Sequence, residues 1–296
     1  DIPYLSQRII FEMNGYKKPS SKQETNKLYD YIFLCFFLGN DFLPHFPSVN
    51  IRTNGVNIMI EAYKEVIGSS KQNLTNGKTI YWKNVKKLVK FLADNEYDNL
   101  MDEYTIRKKW ERRSFPSKTV EEKKDRYLHI PIKNREIEKY INPYASFWQK
   151  RYYDALFNTD ETHEFKKEVS VNFMEGLEWV MNYYTRGCID WRWHYRYNYP
   201  PLFNDLLKFI PSFDTVMIEP NNHTNVSPYV QLSYVLPIES FPLIPNNIGE
   251  KLLNERGEYY SKQYDIKWAF CKFMWESHLE LPHIDLDELE DFVNNI

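Results

Sequence analysis

From Tyr31 to Leu38 the chain reads YIFLCFFL, a run without a single charge, and it stops at once on Gly39, Asn40 and Asp41. A helix apolar around its whole circumference cannot lie on a surface, so this segment has to be an element buried on all sides. Counting back to the polar start at Gln23, the pattern predicts a helix over 23–38, with Gly39-Asn40 as the punctuation that ends it. Asp41 then follows a buried helix and precedes another apolar step, FLPHF. A carboxylate among such neighbours is costly unless a cation or several hydrogen bonds compensate it. Two readings stay open: a metal ligand, or a side chain that caps its own turn.

Other segments repeat apolar residues at helical spacing. Residues 54–67 and 81–92 read as amphipathic helices, the second with Leu88, Val89 and Leu92 on one face. Aromatics at Tyr144, Phe147, Trp148, Tyr152 and Phe157 lie on a further helix. Phe173, Leu177, Val180 and Tyr184 then mark a long helix that Gly187 closes. A last helix falls near 287–293. With 9 Gly in 296 residues the chain lacks the glycine-rich turns of a sandwich or barrel. The expected fold class is mostly α, a helical domain with short strands and long irregular loops.

Three blocks are expected: residues 1–104 with the GNDFLP segment, a charged linker over 105–140, and a second helical region over 141–296. Between Thr105 and Arg126 there are nine basic and four acidic residues, which reads as a solvated linker or helix face, or as a phosphate-tracking surface. The formal net charge of −3 provides no global attraction for a polyanion. Any such ligand would have to be met by a local basic or metal-lined patch.

Several chemistries are disfavoured. Cys35, Cys188 and Cys271 are far apart in apolar surroundings and form no C-x-x-C pair, as expected of buried thiols in a reducing compartment. His45, His194 and His283 have no paired Cys or carboxylate at ligand spacing, which argues against zinc. Neither a nucleophile elbow nor a Walker sequence is present. No stretch approaches the roughly 18 apolar residues of a membrane span, and no signal-peptide pattern opens the chain. A soluble intracellular protein without membrane contact is expected. The start on Asp1, inside an apolar pattern, reads as a fragment of something longer.

What stands out is WRWHYRYNYPP, residues 191–201, with five aromatics, two Arg and one His. Trp191 and Trp193 flanking Arg192 are the components of a base-stacking platform, although an aromatic core under a proline-rich loop would read the same way. Aromatic residues make up 17% of the chain, more than packing requires, so stacking surfaces are a candidate chemistry.

The string YDYIFLCFFLGNDFLPHFPSVNI (29–51) resembles the end of the first conserved region of the XRN family of 5′→3′ exoribonucleases. FWQKRYYDALF (147–157), FMEGLEWVMNYYTRGCIDWRW (173–193), SPYVQLSYVLP (227–237) and KWAFCKFMWESHLELPHID (267–285) are similar to its second, helical conserved region. These segments follow the family's order across nearly the whole chain. The resemblance implies part of a larger α/β nuclease core that hydrolyses single-stranded RNA bearing a 5′ monophosphate, processively and with Mg²⁺ or Mn²⁺. It assigns Asp41 to catalysis as one metal ligand, the other carboxylates and the 5′-phosphate pocket lying in an upstream half of the same core. It assigns Trp191 or Trp193, with Arg192 and Tyr195 beside them, to contact with RNA. Where the family has Y-Y-P-Y-H-Y-A-P this chain has HYRYNYPP, so the expected His is Asn198. Cytoplasmic and nuclear branches of the family fit equally. The resemblance implies that the segment alone is inactive. A flap-type DNA nuclease, or a catalytically silent RNA-binding or scaffolding relative, would be the alternatives.

Overall fold

A computed structural model describes residues 1–18 and 20–296, without the side chains of 21 and 22. Fourteen helices occur among the described residues. They begin with α1 (Ile2–Met13), α2 (Ser21–Phe36), α3 (Gly55–Val66), α4 (Trp82–Asp94) and α5 (Glu96–Glu111). Then come α6 (Val120–Leu128), α7 (Ile130–Lys133), α8 (Glu136–Ile141), α9 (Trp148–Phe157) and α10 (His163–Arg186). The last are α11 (Phe203–Phe209), α12 (Pro228–Val235), α13 (Ile248–Glu255) and α14 (Leu286–Asn294). Two short strands, β1 (Asp265–Lys267) and β2 (His278–Glu280), pair antiparallel with Ile266 opposite Leu279. The protein is thus mostly helical with little sheet, as its glycine-poor, helically periodic sequence predicts. Among the described residues no helix is long and apolar enough to cross a membrane.

The chain divides into two compact units, one of residues 1–116 and 132–222, the other of 117–131 and 223–296. In the first, α2 carries the apolar run into a core of Phe33, Phe37, Phe46, Phe173 and Phe203. Phe46 lies flat on Phe203 at 3.9 Å and meets Phe173 edge-on at 5.0 Å. Two charged residues in the middle of α2, Lys27 and Asp30, are buried too. Asp30 accepts hydrogen bonds from the Leu74 and Thr75 amides, from Asn73 Nδ2 and from the Tyr63 hydroxyl, at 2.6–3.2 Å. Lys27 donates to the Gly68 carbonyl at 2.6 Å. These contacts pin α2 to α3 and the loop after it.

Two buried acids brace the same unit. Glu96 accepts from the Phe203 and Asn204 amides at 2.7 and 3.2 Å, capping α11 from the start of α5. Glu138 takes a two-pronged contact from Arg107, whose Nε and Nη2 reach its carboxylate at 2.8 and 2.6 Å. Arg107, within the basic run of 105–126, is therefore fully buried.

The longest helix, α10, is started by the Thr162 hydroxyl, which accepts from the Phe165 amide, and ends at Gly187 with φ +101°. That left-handed φ favours glycine. Phe173, Leu177 and Val180 face the core as their spacing predicts, but Tyr184, one turn on, emerges into solvent and stacks on Phe36.

In the second unit, α12, α13 and α14 enclose a small core of Val230, Phe241, Ile244, Ile248, Leu252, Leu289 and Val293. Leu289 and Val293 are the apolar stripe of the predicted closing helix.

Candidate functional site

The last turn of α2 tightens, with the Phe37 and Leu38 amides bonding to Leu34 and Cys35. Gly39 then turns the chain with φ +90°. A Cβ there would sit 3.0 Å from His45 Cβ and 3.1 Å from His45 N, so the conformation and the close approach both call for glycine. Asn40 Oδ1 accepts from the amides of Phe42 at 2.8 Å and Leu43 at 2.9 Å, closing an Asx turn. The capping role that spacing allowed for Asp41 is thus filled by Asn40. Asp41, between two anchored residues, is pushed outward, exposed, and its carboxylate has no hydrogen bond or ion pair among the described residues.

The same device recurs near the tryptophans. Asp190 Oδ1 accepts from the Arg192 amide at 2.8 Å, a second Asx turn with Trp191 at its tip. Trp191 is 55% exposed. Trp193 turns the other way and stacks on Trp179 of α10, ring centres 5.4 Å apart and 24° between planes. Its indole N–H is buried without a hydrogen-bond partner among the described residues. Arg192 is half-buried between them.

Aromatic packing joins the two turns. Trp179 lies parallel to Tyr183, its neighbour one helical turn on, at 5.3 Å, and donates its indole N–H to the Asp190 carbonyl. Phe42, next to Asp41, meets Trp179 and Tyr183 edge-on at 5.0 and 5.1 Å. Gly176 makes the fit possible: a Cβ there would fall 2.5 Å from Leu43 Cδ2 and 2.9 Å from Trp193 Cη2. The Asp41 turn and the Trp191 turn therefore rest on one aromatic wall of Phe42, Trp179, Tyr183 and Trp193.

Tyr195 faces inward from this wall. Its ring meets Phe173 edge-on, its hydroxyl donates to the Tyr199 carbonyl at 2.8 Å, and burial pushes its pKa well above the usual phenol range. His194 and Asn198 are exposed. The structure thus brings Asp41, Trp191 and Trp193 to one wall and puts Tyr195 behind it. Phe42, Trp179 and Tyr183 are members that sequence reasoning did not single out. Their one signal was the i, i+4 aromatic pair 179/183, which reads equally as core.

Among the described residues, no group of three or more His, Cys, Asp or Glu side chains is drawn together as a metal site requires. Asp41 fits a divalent cation in one respect: its carboxylate is unengaged and reachable.

The unit is mostly helical and presents an unengaged carboxylate and an exposed tryptophan on one aromatic wall. The chain matches the family model described as the Xrn1 helical domain, over residues 22–142 and 133–296, and it belongs to that family. It is 24% identical, over 86% of its length, to the 5′-3′ exoribonuclease 2 homolog of Drosophila melanogaster, covering 33% of that protein. Over 90% of its length it is 23% identical to the 5′-3′ exoribonuclease 2 of Arabidopsis thaliana, covering 34% of it. Against the protein of that name in Gallus gallus it is 24% identical over 86%, again covering 34%. The chain spans about a third of the length of the curated relatives it matches.

Proposed function

We propose that this chain is the helical portion of a 5′→3′ exoribonuclease acting on single-stranded RNA with a 5′ monophosphate, completed by an upstream half of the same core. In this reading Asp41 is one ligand of Mg²⁺ or Mn²⁺, and Trp191 is the wall on which the terminal base stacks. The observation that carries it is the pair of Asx turns on one aromatic wall, which expose a carboxylate and an indole. Exposure favours Trp191 over Trp193 for stacking, because one face of Trp193 is already taken by Trp179. Membership of the family and the names of the relatives support the reaction class.

Each residue then has a task. Trp191 holds the terminal base and so fixes where the scissile phosphate lies, an effect of positioning. Arg192 is a cation beside the strand. Tyr195, its hydroxyl given to Tyr199, holds the tryptophan-bearing segment against α10 from behind. A metal bound at Asp41, with carboxylates from the upstream half, would supply an activated water and charge stabilisation at the leaving oxygen.

The test compares single-turnover decay of 5′-monophosphorylated and 5′-hydroxyl RNA by the core containing this chain, with Trp191→Ala and Trp193→Ala. The expected result is a strong preference for the monophosphate. Trp191→Ala should weaken RNA engagement by about 1–3 kcal/mol, the usual worth of one stacked base. Trp193→Ala should instead lower the melting temperature. Equal decay of both RNAs, or a Trp191→Ala variant with wild-type engagement, contradicts the proposal.

A further inference from the structure

The second unit carries an aromatic feature that the proposed site does not use. Phe273 and Trp275 lie nearly parallel, 5.4 Å apart with 13° between planes, and Trp275 is 65% exposed. The His129 ring meets Phe273 at 4.9 Å, and the Lys272 ammonium lies 4.9 Å from the centre of the Phe273 ring. His129 is also the C-terminal cap of α6, so the end of that helix is set against this stair.

The charges around it are unequally occupied. Glu122 closes the capping box of α6, accepting from the Lys118 and Thr119 amides at 2.6 and 3.1 Å. Asp125 is held by His129 at 3.2 Å, and Glu276 accepts from the Lys272 amide at 2.7 Å. Lys123 and Lys124 are exposed, with no side-chain partner among the described residues. With Glu122 and Glu276 taken up by backbone amides and Asp125 by His129, the solvent-facing Lys123 and Lys124 favour an anionic partner. Stacked rings favour one with flat, unpaired bases.

We infer that this unit holds a second contact for single-stranded RNA, in which a base stacks on Trp275 and flanking phosphates meet Lys123 and Lys124. The inference rests on the reading of RNA as substrate, and it adds a grip on the strand apart from the Asp41–Trp191 wall. Ring faces and mobile cations fit any base, so the contact tracks the backbone without reading sequence. Double-stranded RNA, whose bases are already stacked on one another, would gain nothing from Trp275.

The test is fluorescence anisotropy of a 3′-labelled 5′-hydroxyl oligouridylate, long enough at about 30 nucleotides to span several stacking positions, in magnesium-free buffer. Wild type is compared with Trp275→Ala, Trp275→Phe, the Lys123→Glu/Lys124→Glu pair and Trp191→Ala. Trp275→Ala is expected to weaken binding about tenfold, at the modest end of a stacked base, with its melting temperature unchanged. Trp275→Phe should keep most of the affinity, and the lysine pair should weaken binding and flatten its salt dependence. If Trp275→Ala and the lysine pair bind as wild type while Trp191→Ala is weakened, the second contact is overturned and the RNA reading stands. If the wild-type chain binds no single-stranded RNA, both fall.

Discussion

At the scale of single residues, the site depends on two short polar side chains that do no chemistry. Asn40 and Asp190 each accept the amide two residues on, and the residue between is thrown outward. Asn40→Ala should therefore disturb Asp41 without touching its carboxylate. An Asx turn is worth about 1 kcal/mol, so stability should fall by about that much while metal-dependent turnover falls further. A loss of turnover no larger than the stability loss would show that the turn does not position Asp41. Buried acids give a pH signature. Burial raises the pKa of Glu96 to about 7 from 4.5 and that of Asp30 to about 6 from 3.8, outweighing the hydrogen bonds that oppose it. A raised folded-state pKa means that the native protein binds the proton more tightly. The stabilisation is full below about pH 4 and is lost as pH rises through 6 and 7. Glu96→Gln should flatten the part of this slope between pH 4.5 and 7 in urea melts. An unchanged slope would mean that Glu96 titrates as it does in the unfolded chain. The exposure of Asp41 was not legible in sequence, because Asn40 and Asp41 compete for one capping role and composition does not say which wins. Neither was the burial of Asp30, whose amide partners Leu74 and Thr75 lie more than forty residues away.

At the scale of elements, α10 was the most legible. Its core face repeats at helical spacing and Gly187 ends it, as read from the sequence. Its second face was not, since Trp179 and Tyr183 acquire meaning only when Phe42 and Trp193 arrive from distant segments. Gly176 is the contact point of these elements. Gly176→Ala should cost about 1–3 kcal/mol by overpacking Leu43 and Trp193, and it should weaken RNA engagement because the wall carries Trp191. A variant as stable as wild type in chemical denaturation would contradict the tight fit. The basic stretch over 105–126 shows the opposite limit: a charge run reads as solvated, yet Arg107 goes inward because Glu138, far along the chain, meets it with both oxygens. Glu138→Gln leaves that guanidinium buried with half its compensation, and about 3–5 kcal/mol of stability should be lost, read from the urea midpoint.

At the scale of the whole molecule, the mostly helical architecture was legible in apolar periodicity, and the family model matches most of the chain although the curated relatives are only 20–24% identical to it. What could not be read was the division into units of discontinuous sequence, because residues 117–131 join the chain's last quarter through contacts such as His129 with Phe273. The proposed function needs further carboxylates beside Asp41, and it stands or falls on them. The most direct measurement is hydrolysis of 5′-monophosphorylated RNA with Mg²⁺ by this chain alone, by the chain with the upstream half supplied, and by the same pair carrying Asp41→Asn. No turnover is expected from the chain alone, exonucleolytic decay from the pair, and loss of that decay in the Asp41→Asn pair with unchanged folding. Robust decay by the isolated chain, or wild-type decay by the Asp41→Asn pair, would contradict it.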